Sequence, residues 1–131
     1  MQILLDTHAL IWFLENNPSL SNRAKTIIED PDNEIFVSIV SFYEMSIKLT
    51  IGKLTLPDSL EDTIAKAINN NISIHELNRH HIVQYQEIPL LSDHKDPFDR
   101  MIIATAVHEH LDIISVDENF TKYQSLVNII W

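Results

Sequence analysis

The sequence of 131 residues contains no cysteine. This absence excludes disulfide bonds, zinc sites with thiolate ligands, iron–sulfur clusters and a thiol nucleophile. Glycine is nearly absent too, since Gly52 is the single one in the chain. Neither of the two glycine-rich phosphate-binding loops, GxGxxG and GxxxxGK[ST], can therefore occur, and nucleotide binding by those loops is excluded.

Positive charge and long apolar runs are also scarce. Nine Lys and Arg residues stand against nineteen Asp and Glu residues, for a formal net charge of −10, which disfavours binding to membrane surfaces or nucleic acid by bulk electrostatics. Apolar runs such as residues 9–14 are far shorter than the ~18 residues that a membrane span needs. Asp6 interrupts the N-terminal apolar run before a signal-peptide core could form. We therefore expect a cytoplasmic protein with no membrane partner.

The remaining composition is that of an ordinary folded protein, with 45% hydrophobic and 21% charged residues. The length suits one compact domain, and no internal repeat, low-complexity tract or Pro/Gly-rich linker marks a boundary within it. We expect residues 1–131 to form a single domain.

Strand-like and helix-like segments alternate along the chain. Short apolar or β-branched runs predict strands at 2–5, 35–40, 72–75, 113–116 and 128–130. Helices are predicted at 7–15, 21–29, 41–51, from about 57 to 69, and at 78–86, 97–110 and 118–123. Strands separated by helices favour right-handed crossovers and a parallel sheet covered on both faces. The predicted fold is a three-layer α/β/α domain with a central parallel sheet of four to five short strands.

Acidic residues fall where the predicted strands end or where the following helices begin. They come from four separate stretches of the chain: Asp6, Glu44, Asp96 with Asp99, and Asp117. The carboxyl ends of parallel strands share one edge of the sheet, and ligands bind in the crevice at that edge. The five carboxylates are therefore expected to lie close together.

Each acid also has an ordinary structural explanation. Asp6 and Asp117 could N-cap the helices that follow them, the segments 41–44 and 96–99 have the spacing of capping boxes, and Glu44 could pair with Lys48 on a helix surface. The joint pattern favours a shared site, because two carboxylates ~6 Å apart repel by roughly 3 kcal/mol at an effective dielectric of 20. A divalent cation would offset that repulsion, and oxygen ligands without cysteine favour Mg²⁺ or Mn²⁺ over zinc.

At this point the sequence resembles a known family. The segments that carry the resemblance are Asp6-Thr7, Glu44, Asp99 with Ala104-Thr105-Ala106, and Ser115-Val-Asp117-Glu-Asn-Phe120. Together they resemble the PIN domain and, more narrowly, the VapC-type toxins of bacterial and archaeal toxin–antitoxin pairs. The resemblance covers essentially the whole chain, with the motifs in order and at fitting spacing.

The resemblance implies an endoribonuclease that depends on one or two Mg²⁺ or Mn²⁺ ions. Its catalytic, metal-binding acids would be Asp6, Glu44, Asp99 and Asp117. The implied partners are an RNA substrate, a cognate antitoxin that covers the acidic groove, and a second copy of the chain. Two alternatives stay open: a catalytically silent PIN-like binding module, and a receiver-type signalling domain. The receiver type is disfavoured because no phosphoacceptor Asp follows the third predicted strand and no lysine follows Lys122.

Several neighbouring residues could support the acids. Thr7 and Ser115 could orient a carboxylate or a water molecule, or simply cap local backbone. Asp96 is expected to be a helix cap first and a supporting acid second. Arg100 and Lys48 could hold a substrate phosphate, or pair with a neighbouring acid.

Histidine is comparatively frequent, with seven residues in the chain. The pairs at 80–81 and 108–110 suggest zinc, but no cysteine accompanies them and they fall on predicted helical surfaces, so zinc is disfavoured. His94 lies beside the acidic cluster in sequence and is the histidine of most interest for the site.

Overall fold

A five-stranded parallel sheet forms the centre of the molecule. The computed structural model describes residues 1–131. Its strands are β1 (Gln2–Leu5), β2 (Glu34–Ser38), β3 (Ile72–His75), β4 (Asp112–Ile114) and β5 (Ile129–Ile130). They are arranged in the order β3-β2-β1-β4-β5, and all paired neighbours are parallel.

Seven helices connect and cover the strands. They are α1 (Thr7–Leu14), α2 (Asn22–Glu29), α3 (Ile39–Thr50), α4 (Leu60–Asn69), α5 (Arg79–Glu87), α6 (Pro97–Glu109) and α7 (Glu118–Thr121). None of the helices has both the length and the apolar character that crossing a bilayer requires.

The side chains of β1 alternate between two hydrophobic cores, one on each face of the sheet. Ile3 and Leu5 pack with α1 to α4, whereas Leu4 packs with α6 and α7. All three side chains are fully buried, as expected for a strand covered on both faces. The predicted three-layer α/β/α fold is therefore confirmed.

Strand register brings the ends of the three central strands together. Leu5 of β1 is paired with Val37 of β2 and with Ile114 of β4. The residues that directly follow these three in the chain therefore lie at the same edge of the sheet. They are Asp6, Ser38 and Ser115. This edge is the one at which the acids were predicted to meet.

One predicted boundary is wrong in a way that matters for the site. The strand predicted at 35–40 ends at Ser38, because the Ser38 hydroxyl accepts a hydrogen bond from the Val40 amide at 3.1 Å and caps α3. Ser41 is consequently inside α3 and does not cap it, and Glu44 lies in the second turn of the helix rather than the first.

Candidate active site

The four motif acids line a single cleft at the carboxyl edge of the sheet. The cleft has a volume of about 240 Å³ and is bordered by Asp6, Glu44, Asp99 and Asp117. The other residues that line it are Thr7, His8, Lys48, His94, Asp96, Asn119 and Phe120. The predicted convergence of the acids from four separate stretches of the chain is therefore observed.

Asp6 lies at the bottom of this cleft and is 4% exposed. One of its carboxylate oxygens accepts a hydrogen bond from the Ala9 amide at 2.7 Å, which caps α1, and the other accepts one from the Ser115 hydroxyl. Ser115 Oγ in turn accepts the Asp117 amide at 3.1 Å. Burial raises the pKa of Asp6, although the hydrogen bonds from Ser115 and Ala9 partly oppose that rise. Ser115 thus links two of the acids.

Glu44 is held by residues from two helices. The Thr7 hydroxyl donates to Glu44 Oε1 at 2.7 Å and lies 3.0 Å from the Ser41 hydroxyl, and Lys48 Nζ lies 2.8 Å from Glu44 Oε2. Glu44 is only 4% exposed, so its contact with Lys48 is not the ordinary surface pair that the spacing suggested. The hydrogen bond to Glu44 raises the pKa of Lys48, which keeps this cation charged inside the acidic cleft.

Asp99 stands on the first turn of α6. Its Oδ2 lies 3.1 Å from His94 Nε2. Burial raises the pKa of Asp99 to about 7, and the nearby charges of Asp96 and Glu44 act in the same direction. This carboxylate is therefore destabilised as an anion by its surroundings, as expected for a site that lacks enough positive charge.

Asp96 and Asp117 both cap helices. Asp96 Oδ1 accepts hydrogen bonds from the Phe98 and Asp99 amides, at 2.9 and 3.1 Å, and Asp117 Oδ1 accepts the Asn119 amide at 2.9 Å. The capping explanation therefore holds for both acids, and both also border the cleft. Capping and a place in the site are not exclusive, because each cap uses one carboxylate oxygen.

Arg100 does not lie in the cleft. Its guanidinium donates to the Pro89 carbonyl at 2.6 Å and to the Ile88 carbonyl at 3.0 Å, and it contacts the Tyr85 hydroxyl at 3.3 Å. Arg100 is 3% exposed and pairs with no acid. Neither of the two roles predicted for it, phosphate binding or an ion pair, matches its position. Its hydrogen bonds instead stabilise the loop between α5 and α6.

Sequence reasoning overlooked His8 and Asn119, which both border the cleft. Each lies two residues beyond a motif acid, in the first turn of the helix that the acid caps. That spacing is the signal that could have found them, since the first turn of a helix that begins at the sheet edge faces the same crevice.

The donor set of the cleft fits a hard divalent cation. Its acidic ligands offer oxygen only, and Lys48 is the one lysine or arginine that lines it. No three acids offer oxygens within 4.8 Å of one another, so at most two carboxylates could contact one ion directly in this conformation. Mg²⁺ is commonly held by one or two carboxylates while it keeps several water ligands.

A second cluster, made of His75, His81 and Glu109, brings three metal-ligand atoms within 4.8 Å of one another. However, His81 Nδ1 accepts the Asn78 amide at 3.2 Å, so Nε2 carries the ring proton and donates to Glu109 Oε1 at 2.7 Å. A metal-binding histidine normally donates from its other nitrogen. This hydrogen bonding accounts for the cluster without a metal.

The sequence matches one protein family over most of its length. Residues 3–126 match the model of the protein family described as PIN domain. Among the curated proteins, none matches this sequence.

Several solved structures are similar in fold. VapBC2 from Rickettsia felis, bound to a DNA fragment from its promoter, is 13% identical with a TM-score of 0.66 over 99% of this chain and 98% of that chain. VapBC-1 from nontypeable Haemophilus influenzae is 17% identical with a TM-score of 0.63, over 99% and 97%. A toxin–antitoxin complex from Klebsiella pneumoniae is 19% identical with a TM-score of 0.63, over 98% and 96%. These identities are low, and the likeness is one of fold over nearly the whole length.

Proposed function

Because the chain belongs to the PIN domain family, we propose that it is an endoribonuclease that depends on Mg²⁺ or Mn²⁺ and serves as the toxin of a toxin–antitoxin pair. The observation that carries this proposal is the convergence of Asp6, Glu44, Asp99 and Asp117 on one cleft. Four acids with a single lysine among them form a site that a divalent cation would stabilise.

Asp6, Glu44 and Asp99 would surround the first metal ion, with no more than two of them in direct contact and the third acting through a metal-bound water. Asp117 would serve a second ion or a metal-bound water. A bound divalent ion supplies a nucleophilic water and stabilises charge on the phosphoryl and leaving oxygens. The chain's own residues fix the carboxylates in place: Ser115 donates to Asp6, and Thr7 donates to Glu44.

Lys48 is the remaining group with a proposed role at the substrate. Its ammonium already contacts Glu44, its side chain is 35% exposed, and it lines the cleft. We propose that it attracts a phosphate of the RNA while it stays paired with Glu44, because an ammonium has three donors and can serve both. Asp96 would remain a helix cap that adds negative charge to the rim.

The proposed partners are RNA, a cognate antitoxin and a second copy of the chain, in the cytoplasm. The similar structures are VapBC or toxin–antitoxin complexes. An inhibitor that places a basic side chain among the acids would suit a cleft with this charge. Sedimentation of the isolated chain tests the homodimer, and a monomer at micromolar concentration would contradict it.

The central test is cleavage of single-stranded RNA by the purified chain with Mg²⁺ or Mn²⁺. We expect the parent to cleave, and Asp6→Asn and Asp99→Asn to lose at least about a hundredfold in rate, because each removes a ligand charge. Asparagine keeps the size of the side chain and, at position 6, an N-cap. Circular dichroism should report the parental fold for both variants.

The matched control is Asp93→Asn, which removes an exposed acid that pairs with Lys122 outside the cleft. It should cleave as fast as the parent. Cleavage by both site variants at the parental rate would overturn the assignment of the acids. RNA binding without any cleavage by the parent would instead indicate a catalytically silent binding module.

A further inference from the structure

Two buried side chains, linked to Asp99 by hydrogen bonds, lead away from the cleft. His94 Nε2 lies 3.1 Å from Asp99 Oδ2, and His94 Nδ1 lies 2.8 Å from the Tyr123 hydroxyl. His94 is 5% exposed and Tyr123 is 1% exposed. None of the roles proposed above uses either residue.

A divalent cation would bind Asp99 as the carboxylate, and in that state the directions of these hydrogen bonds follow from the group at one end. An ionised Asp99 can only accept, so the proton of a neutral His94 ring is on Nε2, which donates to Asp99. Nδ1 is then an acceptor, and the Tyr123 hydroxyl donates to it. Tyr123 and Asp99 therefore impose one tautomer and one ring orientation on His94.

We propose that Tyr123 and His94 are positioning residues, which hold Asp99 in the orientation needed for a divalent cation. Asp99 Oδ2 is occupied by His94, which leaves Oδ1 available to an ion in the cleft. This inference rests on the proposed function, since it assigns Asp99 to the metal.

The same contacts tie together the two segments that carry separate acids. His94 precedes α6, whose first turn bears Asp99, and Tyr123 follows α7, which Asp117 caps. A second contact between these segments, Lys122 Nζ to Asp93 Oδ2 at 2.9 Å, is exposed. The buried contact between His94 and Tyr123 is connected to Asp99 in the cleft, whereas the exposed contact between Lys122 and Asp93 is not. The two contacts therefore provide a matched comparison.

The test is titration with Mn²⁺ alone, measured by calorimetry. His94→Phe keeps a ring of similar shape but has no donor, and we expect its Kd for Mn²⁺ to rise by about tenfold or more, as for other groups that orient metal ligands. Tyr123→Phe removes a single hydroxyl and should raise the Kd by roughly two- to tenfold. His94→Gln restores a donor toward Asp99 and should recover part of the affinity lost in His94→Phe.

Lys122→Met, which breaks the exposed contact, should bind Mn²⁺ as the parent does. Parental Mn²⁺ affinity in both His94→Phe and Tyr123→Phe would overturn the proposal. If His94→Phe does not fold, Tyr123→Phe decides alone, because it keeps the packed ring. An unchanged Mn²⁺ affinity in every variant argues against the positioning role, whereas strong Mn²⁺ binding without RNA cleavage argues against the proposed function.

Discussion

The ionisation of Asp99 makes the stability of the metal-free protein depend on pH. Its pKa is about 7 in the folded chain, against 3.8 as the ordinary value, because the carboxylate is buried near Asp96 and Glu44. Between these two pH values the folded state binds more protons than the unfolded state. The contribution of Asp99 to stability is therefore greatest below about pH 4, falls as the pH rises to about 7, and is constant above that.

We accordingly expect Asp99→Asn to stabilise the metal-free protein. Each unit of pKa shift corresponds to about 1.4 kcal/mol, so a gain of about 1–3 kcal/mol is expected at pH 8, and little or none near pH 4. Urea denaturation in EDTA at several pH values measures the difference between variant and parent. A constant difference across this pH range would contradict the raised pKa.

The position of Arg100 in the sequence did not predict the direction of its side chain. Arg100 is next to Asp99 in sequence, yet neighbouring residues on a helix face directions about 100° apart. Asp99 faces the cleft, whereas Arg100 faces the loop between α5 and α6. The acids were easier to predict, because all but Glu44 cap a helix or lie in its first turn, and those positions lie at one edge of the sheet.

A hydrogen bond from the buried His81 to Glu109 joins helices α5 and α6, in addition to the one from Arg100 to Tyr85. His81 is fully buried, and the hydrogen bond from His81 lowers the pKa of Glu109. Glu109→Ala should cost about 1–3 kcal/mol of stability at pH 7, because it leaves a buried N–H without an acceptor. Glu109→Gln keeps an acceptor oxygen and should cost less.

Urea denaturation of both variants at pH 7 measures this contribution. Because the pKa of Glu109 is lowered in the folded state, the stabilisation it provides is present above the ordinary value of 4.5 and is lost as the pH falls below it. Equal stability of the parent and Glu109→Ala at pH 7 would show that the helices do not depend on this contact.

Element types were predictable from periodicity and caps, but several boundaries were not, and the end of β2 is the one that matters for the site. The β-branched residues Ile39 and Val40 extend an apolar run and favour a strand. They lie in α3 because Ser38 caps the helix earlier. That shift sets the position of the Thr7–Glu44 contact, which joins α1 to α3 across 37 residues of sequence. Contacts between distant segments depend on strand order, and the order β3-β2-β1-β4-β5 could not be obtained from local patterns.

The net charge of −10 predicts how the whole molecule responds to divalent ions. Two bound ions would bring the charge to −6, since −10 + 4 = −6, and would remove repulsion among the acids of the cleft. Free Mg²⁺ at about ten times its Kd should stabilise the fold by ~1.4 kcal/mol, a rise in Tm of roughly 3–6 °C.

Differential scanning calorimetry measures this rise, with NaCl at matched ionic strength as the control for general screening. The shift should be much smaller in Asp99→Asn, which has lost a proposed ligand. No shift at millimolar Mg²⁺ in the parent would contradict a site formed before metal binding.

The contact between Asp6 and Ser115 spans 109 residues of sequence, so a ribosome makes its two partners far apart in time. At typical translation rates of ~5–20 residues per second, Ser115 is synthesised roughly 5–20 seconds after Asp6. Because β1 is central in the sheet, a chain that ends before β4 has only three of the five strands. It also lacks Asp117, so the four motif acids cannot yet meet. The proposed nuclease site is therefore incomplete until Asp117 has been synthesised.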